Sequence, residues 1–461
     1  MFSHALAIPK TPMWVGFNSK IFLDESIKQR VSYLTTINLS PTNNAAVKET
    51  MVQSLKIAAE CNDTYIQVTY DLAIAKVALQ IQSQSDEFKN IFVHIGGFHV
   101  MMAFFKAIGK FIDNCGISNI MIDTELLATG STNINGFLNG KHFNRCKRIH
   151  PIISLAYSIL HFRQFLKQNN IEITAEMKNY IINFNNTKSA SAIIENNPLL
   201  DVTEKYENYL TQTINGEYGK TAQYYMIYVN LVKYYLLFNS SIRTANFSLF
   251  KYILPKISNL FFALNQPNYA RWLVRYHNNL CKVDETHPGL RDLFEKGSFG
   301  VKRTDKDFSR QPVDLTLEQT INLDAANKLT GILHLTNSEA ARQKWCKSHS
   351  IRSTVISYVL QQAGLSRNQD ITADLKKSKM DKSVKQLNNF IDGILRNINP
   401  FDGDIDKQKL FNISNGQAAS TAIEDFLLNI EISGNKLRET FIREYEEDAN
   451  RFERPIKKII Y

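Results

Sequence analysis

The sequence predicts a predominantly helical α/β protein, and three observations carry that reading. Two short runs, Thr64 to Tyr70 and Asn90 to Ile95, are rich in β-branched and aromatic residues and read as strands. Each ends on punctuation, Asp71 after the first and Gly96-Gly97 after the second. Beyond them Met101, Phe104, Phe105, Ile108, Phe111 and Ile112 recur at helical spacing, and much of the remaining chain repeats that pattern. Two strands that bring Asp71 and His99 to one sheet edge place them where α/β proteins put chemistry.

A chain of 461 residues with 44% hydrophobic and 21% charged residues has the composition of a globular protein of two or three domains. Its five cysteines (61, 115, 146, 281, 346) are odd in number, and no two lie within four positions. That spacing excludes a Cys-x-x-Cys zinc module and argues against a disulfide framework, so a reducing compartment is expected. The opening Met1 to Pro9 lacks a cationic region followed by an apolar run, so no secretory signal is read there. The most apolar stretch, Tyr224 to Phe238, carries Asn230 and Lys233 and is too short and polar to span a bilayer. An intracellular, nuclear protein with no membrane association is the expectation.

The net charge of +10 is segregated. From Leu126 to Ile171 there is no acid, and Lys141, Arg145, Lys147, Arg148, Arg163 and Lys167 give +6. From Tyr218 to Val283 there is again none, and the cations, Arg271 and Arg275 among them, give +8. The rest of the chain is therefore net acidic. Such patterning points to an acidic partner, nucleic acid and DNA most naturally; the structural alternative is a set of apolar helices whose solvent faces happen to be basic. Lys141, Arg145, Lys147, Arg148, Arg271 and Arg275 are the expected nucleic-acid contacts.

In chain order, 1–60 reads as an N-terminal arm and helix, with Trp14 and Phe17 available as anchors and a helix from Ala45 to Cys61. Residues 61–125 form the first half of an α/β core, and 126–283 a basic helical insertion. Within the insertion, Gly140 to His150 interleaves cations with Phe143 and Ile149, and Pro151 opens a helix. The aromatic stretch Tyr224 to Phe238 reads as core, since base-stacking platforms need exposed rings. Residues 284–370 form the second half of the core, with a short helix Leu290 to Glu295 and a strand within Ser298 to Arg303. A helix Asp314 to Asp324 capped by Asp314, and another from Ser338 to His349, follow. Residues 371–461 are charged and helical, ending in a helix from Lys436 to Phe452.

Single residues carry competing readings. Asp71 is either a metal ligand at a strand end or the N-cap of a helix starting at Leu72. His94 and His99 read first as core or turn histidines. Glu318 is either a catalytic carboxylate or an acid complementing a helix N-terminus.

Several stretches resemble a family of uncharacterised proteins carried by mobile elements in animal genomes, with fungal relatives. They are His4 to Trp14, Val68 to Lys76, Gly96 to Met102, Gly140 to Pro151, Tyr269 to Trp272, Glu318 to Asn322 and Leu335 to Trp345. The family looks like a derivative of ribonuclease H-like transposase or integrase cores. The resemblance therefore implies a small ribonuclease H-like mixed sheet interrupted by a large all-helical insertion. It also implies phosphodiester transfer by Mg or Mn ions on Asp71 and Glu318, with His99 as a further ligand. This chain departs from that pattern at the second strand end, where Gly96, Gly97 and His99 stand in place of a carboxylate. In relatives an acidic segment often precedes the part where this chain begins. The expectation is a decayed or truncated transposase-like domain that binds nucleic acid; the alternative is a non-catalytic helical scaffold binding nucleic acid or protein.

Overall fold

In the computed structural model residues 1–32, 34, 37, 39–186, 197–327, 331–363 and 374–447 are described. The protein is predominantly helical. Two short N-terminal helices, α1 (Phe2–Ala5) and α2 (Trp14–Ile21), precede α3 (Asn44–Glu60), which is capped by the Asn43 side chain accepting from the Ala45 N–H at 2.8 Å. Trp14 does anchor the arm, packing edge-on against Phe308 at 5.3 Å between ring centroids. The two strand-like runs form the expected pair. β1 (Ile66–Tyr70) and β2 (Ile91–Ile95) are parallel, with Ile66 opposite Ile91 and Tyr70 opposite Ile95, and α4 (Leu72–Gln84) connects them.

Helix α5 (Gly97–Phe111) leaves the second strand and runs through the centre of the molecule, with Val100, Met101, Phe104, Phe105, Ile108 and Phe111 all buried. After it come α6 (Ile117–Asp123), α7 (Ser131–Leu138), α8 (Phe143–Gln168), α9 (Ala175–Asn186), α10 (Leu200–Ile214), α11 (Lys220–Arg243), α12 (Phe247–Ala263) and α13 (Pro267–Cys281), of which α7, α8, α11 and α12 pack on α5 while α10 packs on α8 and α11. The core is continuous from β2 and α5 into α8, α11, α12 and α13. Tyr224 and Tyr225 of α11 reach α5 directly, donating to the carbonyls of Phe111 at 2.6 Å and Cys115 at 2.7 Å. Buried phenols keep a hydrogen bond while their rings fill the core, so the aromatic stretch is core, as read.

Three expectations need correction. Helix α8 does not open at Pro151 but at Phe143, with Pro151 inside it. A proline costs an interior helix one hydrogen bond, and here the flanking Ile149, His150, Ile152 and Ile153 are buried on the core. Arg145, Lys147 and Arg148 of the basic run are therefore on the first turns of α8, with Lys141 just ahead of it. Secondly, the strand at Ser298 to Arg303 is only β3 (Gly300–Val301), antiparallel to β4 (Gln311–Pro312). These strands form a sheet of their own rather than extending β1 and β2. Thirdly, the expected helix Asp314 to Asp324 is two short ones, α16 (Val313–Glu318) and α17 (Ile321–Ala325), after α14 (Val283–Thr286) and α15 (Leu290–Glu295). Thr320 breaks it at φ −120°, ψ −99°, with its hydroxyl donating to the Thr316 carbonyl at 2.6 Å. The C-terminal helices Lys377–Arg396 and Ile430–Glu447 pack on α8 and α12. The expected continuation of the last one to Phe452 lies outside the described residues. No helix among the described residues is long and apolar enough to cross a membrane.

Candidate nucleic-acid interface

The corner where the strands hand over to helices is built around an unusual cap. Helix α5 starts at Gly97 after Gly96, which has no side chain to accept from the free N–H groups of the first turn. The acceptor comes from elsewhere in the chain. Asp314 Oδ1 accepts from the Phe98 N–H at 3.0 Å, and Oδ2 from the His99 N–H at 3.1 Å and from His99 Nδ1 at 3.0 Å. Asp314 is not the N-cap of its own helix; Pro312 holds that position. Gly96 makes the approach possible, because a methyl there would lie 2.7 Å from Asp314 Cγ. Its N–H donates to the Tyr70 carbonyl at 2.7 Å, which fixes the backbone at the strand end.

Asp71 takes the capping alternative. Its Oδ1 accepts from the Ile74 N–H at 2.9 Å, closing the first turn of α4. Glu318 is exposed and its Oε1 accepts from Asn322 Nδ2 at 3.2 Å. His99 is half-buried, and its pKa is raised above 6.5. The Asp314 hydrogen bond is the main cause; burial opposes it, and the charges of Asp314, Asp71 and Glu318 add to it. The three acids and His99 thus share one neighbourhood. Tyr269 joins them, since Asp71 and Asp314 add to the rise in its pKa that burial begins.

His94 is a core histidine, as first read. Its Nδ1 bonds the Tyr276 hydroxyl at 2.7 Å and its Nε2 the Gln67 amide oxygen at 3.0 Å. Burial lowers its pKa to about 3.

These residues do not fit a two-metal site. Both Asp314 oxygens and Asp71 Oδ1 already accept N–H groups, and Asp314 holds His99 Nδ1. Among the described residues no three His, Cys, Asp or Glu groups are arranged to hold a metal ion. Divalent ions need free oxygen ligands, so no metal-dependent step is derived for Asp71, Glu318 and His99.

The cations are carried on helices that reach this corner, α8 through Phe143, α13 through Tyr269 and α4 through Asp71. On α8, Arg145 and Arg148 are exposed, one turn apart, with Lys141 exposed just before the helix. Arg145 donates to Asn133 Oδ1 at 2.6 Å and Arg148 to Gln386 Oε1 at 2.8 Å. Lys147 sits 5.6 Å over the Phe143 ring. On α13, Arg275 lies 5.6 Å over Trp272. Arg271 and Lys76 of α4 both donate to Asn268 Oδ1, at 3.3 and 3.1 Å. Burial lowers the Lys76 pKa first, and the Arg271 charge lowers it further.

A chain of contacts joins the two sides. Phe143 packs on Phe98 with centroids 4.8 Å apart, and Phe98 on His99 at 5.0 Å. Asp314 and Asp71 then lead to Tyr269, next in sequence to the shared Asn268. Sequence reasoning missed Asp314 and Lys76. The signal for Asp314 was the glycine pair itself, a helix start that needs a borrowed acceptor.

A family model described as a domain of unknown function (DUF8702) matches residues 13–455. The chain belongs to this family. No curated protein and no solved structure matches it. The family's description assigns no activity.

Proposed function

We propose that this DUF8702 protein binds nucleic acid, duplex DNA first, through phosphate contacts spread across the α5 corner, in the manner of a transposase-like domain that has lost its chemistry. The observation that carries the reading is that cations from both acid-free stretches flank one corner. Lys141, Arg145 and Arg148 lie on the α8 side, Arg271 and Lys76 on the α4–α13 side. Helix polarity supports it. The first turn of α8 holds no acid, and Arg145, Lys147 and Arg148 crowd its positive end. Cations there oppose the helix dipole, a cost that an anionic ligand would relieve. Ribonuclease H-like descent and a nuclear location belong to the same reading, supported by the parallel β1–β2 pair and by Asp71 at the end of β1. Its function is then occupancy of DNA rather than strand transfer.

The test is a salt series with duplex DNA, comparing the parent with a Lys141→Ala, Arg145→Ala, Arg271→Ala variant. Each lost phosphate contact lowers the log–log salt slope by about one unit. A fall of about two to three units with an unchanged melting temperature is expected. An unchanged slope, or no binding by the parent at low salt, refutes the proposal.

A further inference from the structure

A cavity of about 940 Å³ lies between the N-terminal arm and helices α8, α9 and α11. Cavities of that size are ligand-sized, not packing defects. Its floor is formed by Ile152 and Leu155 of α8 with Val229 and Leu236 of α11. Trp14 and Phe17 of α2 cover it, and Phe184 of α9 closes one wall, its ring 5.8 Å from Phe17.

Four cations line it, Lys147 and Arg148 from α8 with Lys233 and Arg243 from α11, against a single described acid, Asp374. Asp374 accepts from the Gly16 N–H at 3.2 Å. Arg243 is held in place by donating to Asn239 Oδ1 at 3.3 Å and to the Phe308 carbonyl at 2.8 Å. Lys233 is exposed and makes no hydrogen bond or ion pair among the described residues.

The lining itself selects the ligand class: an apolar floor and cover stand beside a surplus of positive charge, four cations to one described acid.

We infer that the cavity binds a long-chain carboxylate, with the acyl chain on the α8–α11 floor and the carboxylate at the cations, Lys233 foremost. Arg148 is common to this cavity and to the proposed DNA contacts on α8, whereas Lys141, Arg145 and Arg271 do not line it.

The test uses palmitate below its micellar concentration, with hexadecanol and AMP as the uncharged-chain and nucleotide probes, in equilibrium dialysis against the full chain. Saturable one-to-one palmitate binding is expected, with hexadecanol weaker by about tenfold, the worth of one charged hydrogen bond. Lys233→Glu is expected to weaken palmitate about tenfold or more. Leu155→Trp, which fills the floor, is expected to abolish binding with an unchanged circular dichroism spectrum. Should Leu155→Trp fail to fold, Val229→Phe on the facing helix supplies the same block. The inference is overturned if the parent does not bind palmitate, or if hexadecanol binds as well. It is overturned equally if the filling and charge variants leave affinity unchanged, or if AMP binds in competition with palmitate.

Discussion

Gly96→Ala should destabilise the protein through Asp314 and not through its own backbone. Gly96 sits at φ −57°, ψ 119°, a conformation that alanine adopts without strain. The new methyl would instead lie 2.7 Å from Asp314 Cγ and closer still to Oδ2, so the carboxylate must leave. It cannot leave freely, because it accepts three N–H groups and its side chain is 8% exposed. Losing a helix cap costs about 1 kcal/mol, and losing a hydrogen bond to a charged group about 1.5–3 kcal/mol. A penalty of roughly 2–4 kcal/mol follows for Gly96→Ala, and a similar one for Asp314→Ala.

The two penalties share one cause, so they should not add. In the double variant the methyl occupies the space the carboxylate has vacated, and the loss should match Asp314→Ala alone. Urea unfolding followed by circular dichroism measures all four corners of this cycle. The coupling should be favourable by roughly 2–4 kcal/mol. If the single penalties sum in the double variant, Gly96 and Asp314 act independently and the borrowed cap is refuted.

Two further predictions concern histidine. The folded pKa of His99 is raised, so its charge stabilises the fold fully below the unfolded value of 6.5 and fades as pH rises through the folded value. Asp314→Asn should therefore cost more stability at pH 6 than at pH 9, and the His99 ring titration followed by NMR should move down; equal costs at both pH values refute the pairing. His94, His150 and His161 behave oppositely, because burial lowers each to about 3. Their neutral forms stabilise the fold above 6.5, and that contribution is lost as pH falls, by roughly 1.4 kcal/mol per pH unit for each histidine. His150 is stacked 4.5 Å from Phe137 and 5.4 Å from Phe105, so His150→Phe should lower proton uptake on unfolding at pH 5 by about one, and an unchanged uptake refutes its burial as a neutral ring.

Periodic elements were legible in the sequence because a single helix or strand carries its own signature. The strands at Ile66–Tyr70 and Ile91–Ile95, helix Asn44–Glu60 and helix Leu290–Glu295 follow the residue patterns within one or two positions. Pro151 misled because proline is usually a boundary, and here two turns of helix precede it. The break at Thr320 was hidden because Asp314 looks like a cap for the residues that follow it, while its carboxylate serves α5 instead. Asp314 and His99 are 215 positions apart, and no local pattern records a pairing of that separation. The basic stretches were legible as composition, but their meeting at one corner depends on Asn268, Phe143 and Phe98, which charge counting does not see.

The fate of the acids explains how a corner with three carboxylates can still present positive charge. Asp71 is spent on the N-terminus of α4 and Asp314 on that of α5, so each negative charge is set against the positive end of a helix. Asp314 faces His99 as well, whose raised pKa keeps it cationic further into the neutral range. Only Glu318 remains exposed with its charge uncompensated by a helix terminus, and it hydrogen-bonds Asn322 of the next helix. Lys76 and Arg145 donate to neutral side-chain acceptors, and so does Arg148, which also feels the charge of Asp374; Lys141 is exposed. Asp71 and Asp314 therefore hold the corner's backbone in place. Strand-end carboxylates that held a metal would need those oxygens free; here Asp71 Oδ1 and both Asp314 oxygens are spent on helix N-termini.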